Sequence, residues 1–312
     1  MRALHVPAAG EQPVVGDLPV PAAGPGEVLI RVEAAALNPL DNVIAGGYLA
    51  GMVTHNYPIV LGRDAAGVVE AVGAGVDHVA AGDEVLGHVL LGPPVQAGTL
   101  AEYAVLPATT VVRKPAGLDF AGAAALPLAA AAASAAVDII DPQAGQVVLV
   151  NGATGGVGSF AVQLLAARGV TVIATGTPDD AARLTKLGAS DVLDRTAGPV
   201  AEQVRAAYPD GVDALINLGG DAPLDAVRKG GKAATATRGA DAGALADAGL
   251  TGGGVSAAPV RELLEPLAEQ AAAGTLTVDV QTVLTLDQAA DGLATLAAGH
   301  ARGKTVVTIG RP

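Results

Sequence analysis

Apolar positions fall into two textures along the 312-residue chain. Up to about residue 117 they come as short β-branched runs: Val28 to Glu33, Ala66 to Val72, Glu84 to Val89 and Ala101 to Leu106. Turn signals at Pro25-Gly26, Gly73-Ala74-Gly75 and Ala81-Gly82-Asp83 separate them, the pattern of a small barrel or folded sheet. Beyond residue 117, apolar strands alternate with helix-like stretches, the pattern of a parallel sheet with crossover helices. Val147 to Val150 predicts a fully buried strand, Val157 to Arg168 a helix, Val170 to Ala174 a strand and Asp179 to Leu187 a helix. Ala214 to Leu218 and Lys232 to Ala236 predict two more strands. Leu263, Leu264 and Leu267 share one face of a helix over Val260 to Ala273. From Thr275 to Pro312 the text is strand-like again, with one short helix around Gln288 to Ala298. No solenoid-type repeat is present, and the length suggests two domains.

Composition narrows the picture. Hydrophobic residues at 51% and charged residues at 16% exclude disorder. Aromatics are only 2%, so Ala, Val and Leu must fill the core. A net charge of −13 without a basic cluster argues against nucleic acid as a partner. Cysteine is absent, which removes disulfides, thiol nucleophiles and thiolate metal sites. The nearly apolar segment Phe120 to Val137 is mostly alanine and contains Pro127, so it predicts two buried helices rather than a bilayer span. The start, Met1 to Pro7, lacks the apolar stretch of a signal peptide, and the expectation is a cytoplasmic protein with no membrane partner.

The segment richest in chemistry runs from Val147 to Gly158: a buried strand, the turn Asn151-Gly152-Ala153-Thr154-Gly155-Gly156, and the start of a helix. As a dinucleotide fingerprint, Ala153 takes the first glycine position, Gly155 the second and Gly158 the third. The second must lack a side chain so that backbone can approach a pyrophosphate, and the third lets helix sit close to strand. The helix then offers free N–H groups and its positive end to the phosphates. An ordinary tight strand-to-helix turn is the alternative. A second strand ending at Thr175 lies at the offset expected for the ribose-reading residue.

An NAD site usually carries an acid at the end of that strand. Here stand Thr175, Gly176 and Thr177, whose hydroxyls can donate to a 2′-phosphate. Asp179 and Asp180 follow, either as ribose-side acids or as first-turn helix residues, and Arg183 lies a turn or more into the helix. NADP(H) is favoured over NADH.

Further motifs appear in order along almost the whole chain: Asn38-Pro39-Leu40-Asp41, Gly47-Tyr48, Pro58 to Val69 around Gly62-Arg63-Asp64, Val72-Gly73, Gly82 to Val85, Gly98 to Tyr103, Ala124 to Pro127, Leu187-Gly188-Ala189 and Gly303 to Val307. With them the chain resembles zinc-free members of the medium-chain dehydrogenase/reductase superfamily, in the NADPH:quinone oxidoreductase branch. The resemblance implies an α/β fold: a GroES-like β-barrel catalytic domain (1–117 and 275–312) with an inserted Rossmann nucleotide-binding domain (118–274). It places the active site in the cleft between them. The cofactor-holding residues implied are Ala153, Thr154, Gly155, Gly156, Val157, Thr175, Gly176, Thr177, Leu218, Gly219 and Lys304.

The zinc-dependent relatives hold metal through thiolates and imidazoles. This chain has no cysteine, and its five histidines (His5, His55, His78, His88, His300) lack ligand spacing, so no zinc is expected. Without a Lewis acid, reduction of a conjugated acceptor is easier than alcohol oxidation: the anion left by hydride addition is delocalised before a proton arrives. By resemblance, Asn38 lies beside nicotinamide and substrate and can donate to a carbonyl oxygen. Tyr48 lies near the place where related enoyl reductases carry a protonating tyrosine; the alternative is a ring covering apolar surface. Asp41 is expected to cap or brace its segment, and Asp64 to pair with adjacent chain or Arg63. After Leu126-Pro127 the family pattern breaks. Ala129 to Ala133 replace the usual threonine near the nicotinamide, and Ser134 stands where relatives carry an aromatic.

The leading expectation is therefore an NADPH-dependent reductase of quinones or α,β-unsaturated carbonyl compounds. The alternatives are an enoyl-thioester reductase of a biosynthetic pathway, which would want a more basic entrance, and a non-catalytic NADPH-binding regulatory protein. The resemblance also implies a homodimer, with Gly252 to Ala257 as either its pairing edge or an interior strand.

Overall fold

The computed structural model describes residues 1–237, 241–299 and 301–310, so His300 lies outside the described residues. The chain divides into two units, Met1–Leu128 with Pro259–Pro312, and Ala129–Ala258. The first opens with β1 (Arg2–Val6), β2 (Val14–Asp17), β3 (Glu27–Ala36), α1 (Pro39–Ala45), β4 (Ile59–Val60) and β5 (Asp64–Val72). It continues with β6 (Glu84–His88), β7 (Tyr103–Pro107), β8 (Val112–Arg113) and α2 (Phe120–Ala125). Helix α3 (Pro127–Ile140) leads on to β9 (Val147–Asn151), α4 (Gly156–Ala167), β10 (Thr171–Gly176), α5 (Ala181–Lys186) and β11 (Asp191–Asp194). Then come α6 (Val200–Ala207), β12 (Val212–Asn217), β13 (Val227–Thr235), α7 (Ala242–Asp247) and β14 (Thr251–Gly254). The chain returns to the first unit with α8 (Arg261–Ala272), β15 (Val280–Thr285), α9 (Ala289–Ala297) and β16 (Lys304–Thr308).

In the first unit the main sheet runs β15-β16-β3-β5-β6-β8, with β7 also on β3, and β1 lies between β2 and β4 in a smaller sheet. The long strand β3 is mostly buried, and its Val28, Ile30 and Val32 enter a core shared with Leu4, Leu61 and Leu106. Strand β5 reaches β3 through Gly67, where a Cβ would fall 2.1 Å from the Arg31 carbonyl oxygen, so only glycine permits the pairing. Strand β16 runs antiparallel to β3 with Val306 opposite Ala36, and Thr305 O accepts from Leu37 N. That register sets Lys304 beside the residues that follow β3.

The second unit is one parallel sheet in the order β11-β10-β9-β12-β13-β14. Chain order reverses between β9 and β12, the place where open α/β sheets bind ligands beyond their carboxyl ends. Strand β9 is apolar up to its closing Asn151 because it is central, with Val148, Leu149 and Val150 fully covered.

The alanine-rich segment divides between α2 and α3, at Leu126–Pro127. Texture alone puts the change at residue 117 and the return at 275. Contacts keep α2 and α8 with the first unit, because α2 packs on β3, β5 and β16, and α8 on β8. Strand β14 ends its sheet, which excludes the interior-strand alternative for Gly252. There Gly252 has φ +130°, and a Cβ would meet the Ala233 carbonyl oxygen at 1.9 Å.

Candidate functional site

The glycine turn joins β9 to α4, and its glycines have different roles. Gly152 has φ +83°, a conformation that favours glycine. A Cβ on Gly158 would stand 2.3 Å from the Gly152 carbonyl oxygen and 2.6 Å from the Ala153 Cα, so its bareness serves helix–strand packing. A Cβ on Gly155 would meet nothing nearer than 3.7 Å. Packing does not demand glycine at 155, and the space beside it stays open. Gly155 is also the N-cap of α4 and brings no side-chain oxygen to the first N–H groups, at Gly156 and Val157, which are half-buried. Ala153 is fully buried under the turn and Thr154 half-buried at its crest.

Two asparagines hold the strand ends at the switch point. Asn151 and Asn217 are paired in register, and Asn151 Nδ2 donates to Asn217 Oδ1 at 2.7 Å and to Gly219 O at 2.9 Å. Leu218 N donates to Asn151 O, so Leu218 and Gly219 are drawn against Gly152. Sequence reasoning misses both asparagines. Their signal is a polar residue closing an otherwise apolar strand.

Thr175 and Thr177, expected to donate to a 2′-phosphate, have their hydroxyls engaged within the chain. Thr175 Oγ1 donates to Asn151 Oδ1 at 3.0 Å and accepts from Gly152 N at 3.0 Å, so this buried hydroxyl braces the turn. Thr177 Oγ1 donates to Asp180 Oδ2 at 2.8 Å. Gly176 is buried between them, and a Cβ there would lie 3.0 Å from Leu184. Arg183, which a regular helix would carry away, turns back: its guanidinium donates to Thr154 O at 3.2 Å and pairs with Asp180 at 3.2 Å. A cation thus stands at the crest of the glycine turn, at the end of β10. Asp179 is exposed.

In the first unit a buried polar cluster forms where β3, α1, β5, β6 and β16 meet. Asp41 lies in the first turn of α1, which Pro39 begins, and its carboxylate accepts from Asn38 N at 2.8 Å and Gly62 N at 3.1 Å. Asn38 Nδ2 donates to Asp64 Oδ2 at 2.9 Å and makes a longer 3.4 Å contact with Ala36 O. Lys304 Nζ donates to Asn38 Oδ1 at 2.7 Å and Leu37 O at 3.1 Å. The other Asp64 oxygen meets His88 Nδ1 at 2.6 Å and Leu128 N at 3.2 Å. Arg63 is not the hydrogen-bond partner of Asp64; its guanidinium bonds the carbonyls of Val60 and Ala97. Burial raises the Asp41 carboxyl to about 6, against the opposing field of Arg63. Burial likewise lowers Lys304 and Arg63 from their ordinary values, while Asp64 and Asp41 pull both back.

Asn38 and Lys304 therefore come together, but the Lys304 ammonium is buried in the first unit and spent on Asn38 and Leu37 rather than presented to a phosphate. Tyr48 is 72% exposed, its ring lies over Gly46, and its hydroxyl has no partner among the described residues. It stands outside the buried cluster.

Residues 24–116 match the alcohol dehydrogenase GroES-like domain, and residues 187–307 match the zinc-binding dehydrogenase family. The chain is 31% identical to the zebrafish (Danio rerio) mitochondrial NAD(P)H oxidoreductase RTN4IP1, over 91% of this chain and 84% of that protein. It is 33% identical to the chloroplastic NADPH-dependent alkenal/one oxidoreductase of Arabidopsis thaliana, over 92% and 73%. The structure of the quinone oxidoreductase from Coxiella burnetii superposes with a TM-score of 0.87 at 28% identity, over 99% of both chains. The chain belongs to the medium-chain dehydrogenase/reductase superfamily, in its quinone oxidoreductase-like branch, and is an oxidoreductase.

The family description that names zinc does not fit the residues present. The chain has no cysteine, and among the described residues no three of His, Asp and Glu are grouped to hold a metal. The buried carboxylates Asp41 and Asp64 are matched by the chain's own Lys304 and Arg63. A dinucleotide does fit: the open space at Gly155, the uncapped start of α4 and the Arg183 guanidinium form a cradle for phosphates.

Proposed function

We propose that this oxidoreductase uses NADPH to reduce quinones or α,β-unsaturated carbonyl compounds without a metal. The observation that carries it is the glycine turn at the switch point, open at Gly155 and uncapped at α4, with Arg183 at its crest. Gly156 and Val157 give backbone N–H groups to the pyrophosphate and Gly155 leaves room for it, while Ala153, Thr175, Leu218 and Gly219 keep the turn in shape. Arg183, with Thr154 beside it, takes the 2′-phosphate that distinguishes NADPH from NADH.

Reduced nicotinamide, when bound, supplies a hydride. The chain's share is to orient the acceptor, exclude water and manage the anion that forms. Asn38 suits the last of these. One amide hydrogen is fixed by Asp64, and the other makes only the long contact with Ala36 O, which an acceptor oxygen can displace. Lys304 holds the amide oxygen so that the hydrogens point one way.

The names of the relatives, an alkenal/one oxidoreductase and a quinone oxidoreductase, support both acceptor classes. A free acceptor is favoured over an acyl thioester, because a net charge of −13 gives little attraction to a phosphorylated carrier. The same proposal includes a homodimer formed through the exposed edge of β14 and a cytoplasmic location, tested by light scattering and by cell fractionation.

The decisive experiment measures NADPH and NADH binding by calorimetry and then oxidation of each with quinones, enones and crotonyl thioesters. NADPH consumption with quinones or enones is the expected result. Binding without consumption would favour the regulatory alternative, and no binding of either coenzyme refutes the proposal.

A further inference from the structure

Reduction of a conjugated acceptor ends with a proton, and its source in this chain is a separate question. Tyr48 is poorly built to supply it, being 72% exposed with nothing among the described residues to orient its hydroxyl. His88 is held much more closely. It ends β6, opposite Asp64 in the β5–β6 pairing, and is 3% exposed. Thr110 Oγ1 donates to its carbonyl oxygen at 2.6 Å.

The imidazole is the only one of the four described histidines that faces a carboxylate. The rings of His5, His55 and His78 meet the carbonyl oxygens of Ala3, Val53 and Val111. With Nδ1 at 2.6 Å from Asp64, the neutral ring carries its hydrogen on Nδ1 and leaves Nε2 as the basic nitrogen. Nε2 has no hydrogen-bond partner among the described residues, and the side chain keeps 4% of its surface open. Asp64 is fixed in turn by Asn38 Nδ2 and Leu128 N. This is the arrangement of an acid–base imidazole oriented by a carboxylate.

Asp41 and Asp64 lie in the fields of Lys304 and Arg63 within the same cluster. Asn38 and His88 grip the two oxygens of one carboxylate.

We propose that His88, oriented by Asp64, delivers the proton that completes the reduction. The inference rests on the reading of Asn38 as the residue that meets the acceptor oxygen. Hydride addition at the β carbon of an enone leaves the former double-bond pair on an enolate. For this step Nε2 first takes a proton from water; the Nε2–H bond then breaks as a C–H bond forms at the α carbon, which returns the ring to its neutral Nδ1–H form. With a quinone the same proton goes to the hydroquinone oxygen.

The experiment has two arms. In the coenzyme-free protein, nitrogen-detected NMR of the imidazoles should show His88 as the Nδ1–H tautomer, its signal altered by Asp64→Asn. The Nε2–H tautomer would overturn the proposal. This arm stands whether or not any acceptor is reduced, so it separates failure here from failure of the proposed reaction. In the second arm, His88→Asn places an amide N–H at the Nδ1 position but has no transferable proton, and His88→Gln serves if that variant does not fold. NADPH affinity should stay within about twofold, while kcat falls on the order of 100-fold for an α-substituted enone in deuterated water. Deuterium should enter one face of the α carbon with wild type and both faces with the variant. Unchanged kcat and facial preference, or loss of that preference in Tyr48→Phe instead, would overturn it.

Discussion

Thr175 Oγ1 stands 3.0 Å from Gly152 N and 3.0 Å from Asn151 Oδ1, so the hydroxyl that closes one strand fixes the turn that follows its neighbour. Thr175→Val keeps the shape and removes both bonds, leaving a half-buried amide oxygen and a turn N–H short of partners. Stability should fall by about 1–3 kcal/mol. NADPH affinity should fall about tenfold as the turn loosens, an energy of about 1.4 kcal/mol. Denaturant titration and calorimetry check the two effects. Unchanged coenzyme affinity would remove Thr175 from the support of the site.

Gly155 and Gly158 should separate binding from folding. Gly155→Val introduces a side chain where a Cβ has no neighbour nearer than 3.7 Å, so the protein should fold and lose NADPH binding. Gly158→Ala forces a Cβ to 2.3 Å from the Gly152 carbonyl oxygen and should lower the melting temperature sharply. Should Gly155→Val bind NADPH as wild type does, phosphate contact with this turn is excluded.

Arg183→Ala should weaken NADPH about 10- to 100-fold, the range of about 1.5–3 kcal/mol for hydrogen bonds to a charged group. NADH affinity should change little, because the ribose hydroxyl carries no charge. Equal losses for both coenzymes would show that Arg183 shapes the turn instead of reading the phosphate.

Asp41 makes a pH-dependent contribution. Burial raises its carboxyl from an ordinary 3.8 to about 6, so the folded protein binds this proton more tightly than the unfolded chain. The contribution is fully present below pH 3.8 and is lost as pH rises through about 6. By linkage this amounts to about 3 kcal/mol. Asp41→Asn lacks the titration, so the stability difference, wild type minus variant, should shrink from pH 4 to pH 7. A flat difference by denaturant titration would refute this assignment.

The glycine turn is legible in the sequence because its causes are local. An apolar strand, a bare turn and an amphipathic start lie within Val147–Ala167, and they become β9 and α4. Arg183 is harder to read. Treating Asp179 as the start of a regular helix carries Arg183 away from the turn, whereas the chain forms a tight 3₁₀ turn over Pro178–Asp180 and then the six-residue α5. The three-residue spacing from Asp180 is the available clue. Nothing local announces Asp64 with His88, or Lys304 with Asn38, since each pair is assembled by strand register. Tyr48 shows the opposite difficulty: one aromatic in an aromatic-poor chain draws attention that its exposure does not reward.

The bond between Lys304 and Asn38 joins residues 266 apart in the chain. On the ribosome, Asn38, Asp41 and Asp64 emerge long before the Lys304 ammonium that completes their cluster. The entire parallel sheet is synthesised in the interval. The nascent first unit must therefore keep these polar groups in water, with its central strand lacking one neighbour, until β16 is translated. The sheet that β9 organises can be finished first, and the older half of the polypeptide waits for the younger to close it.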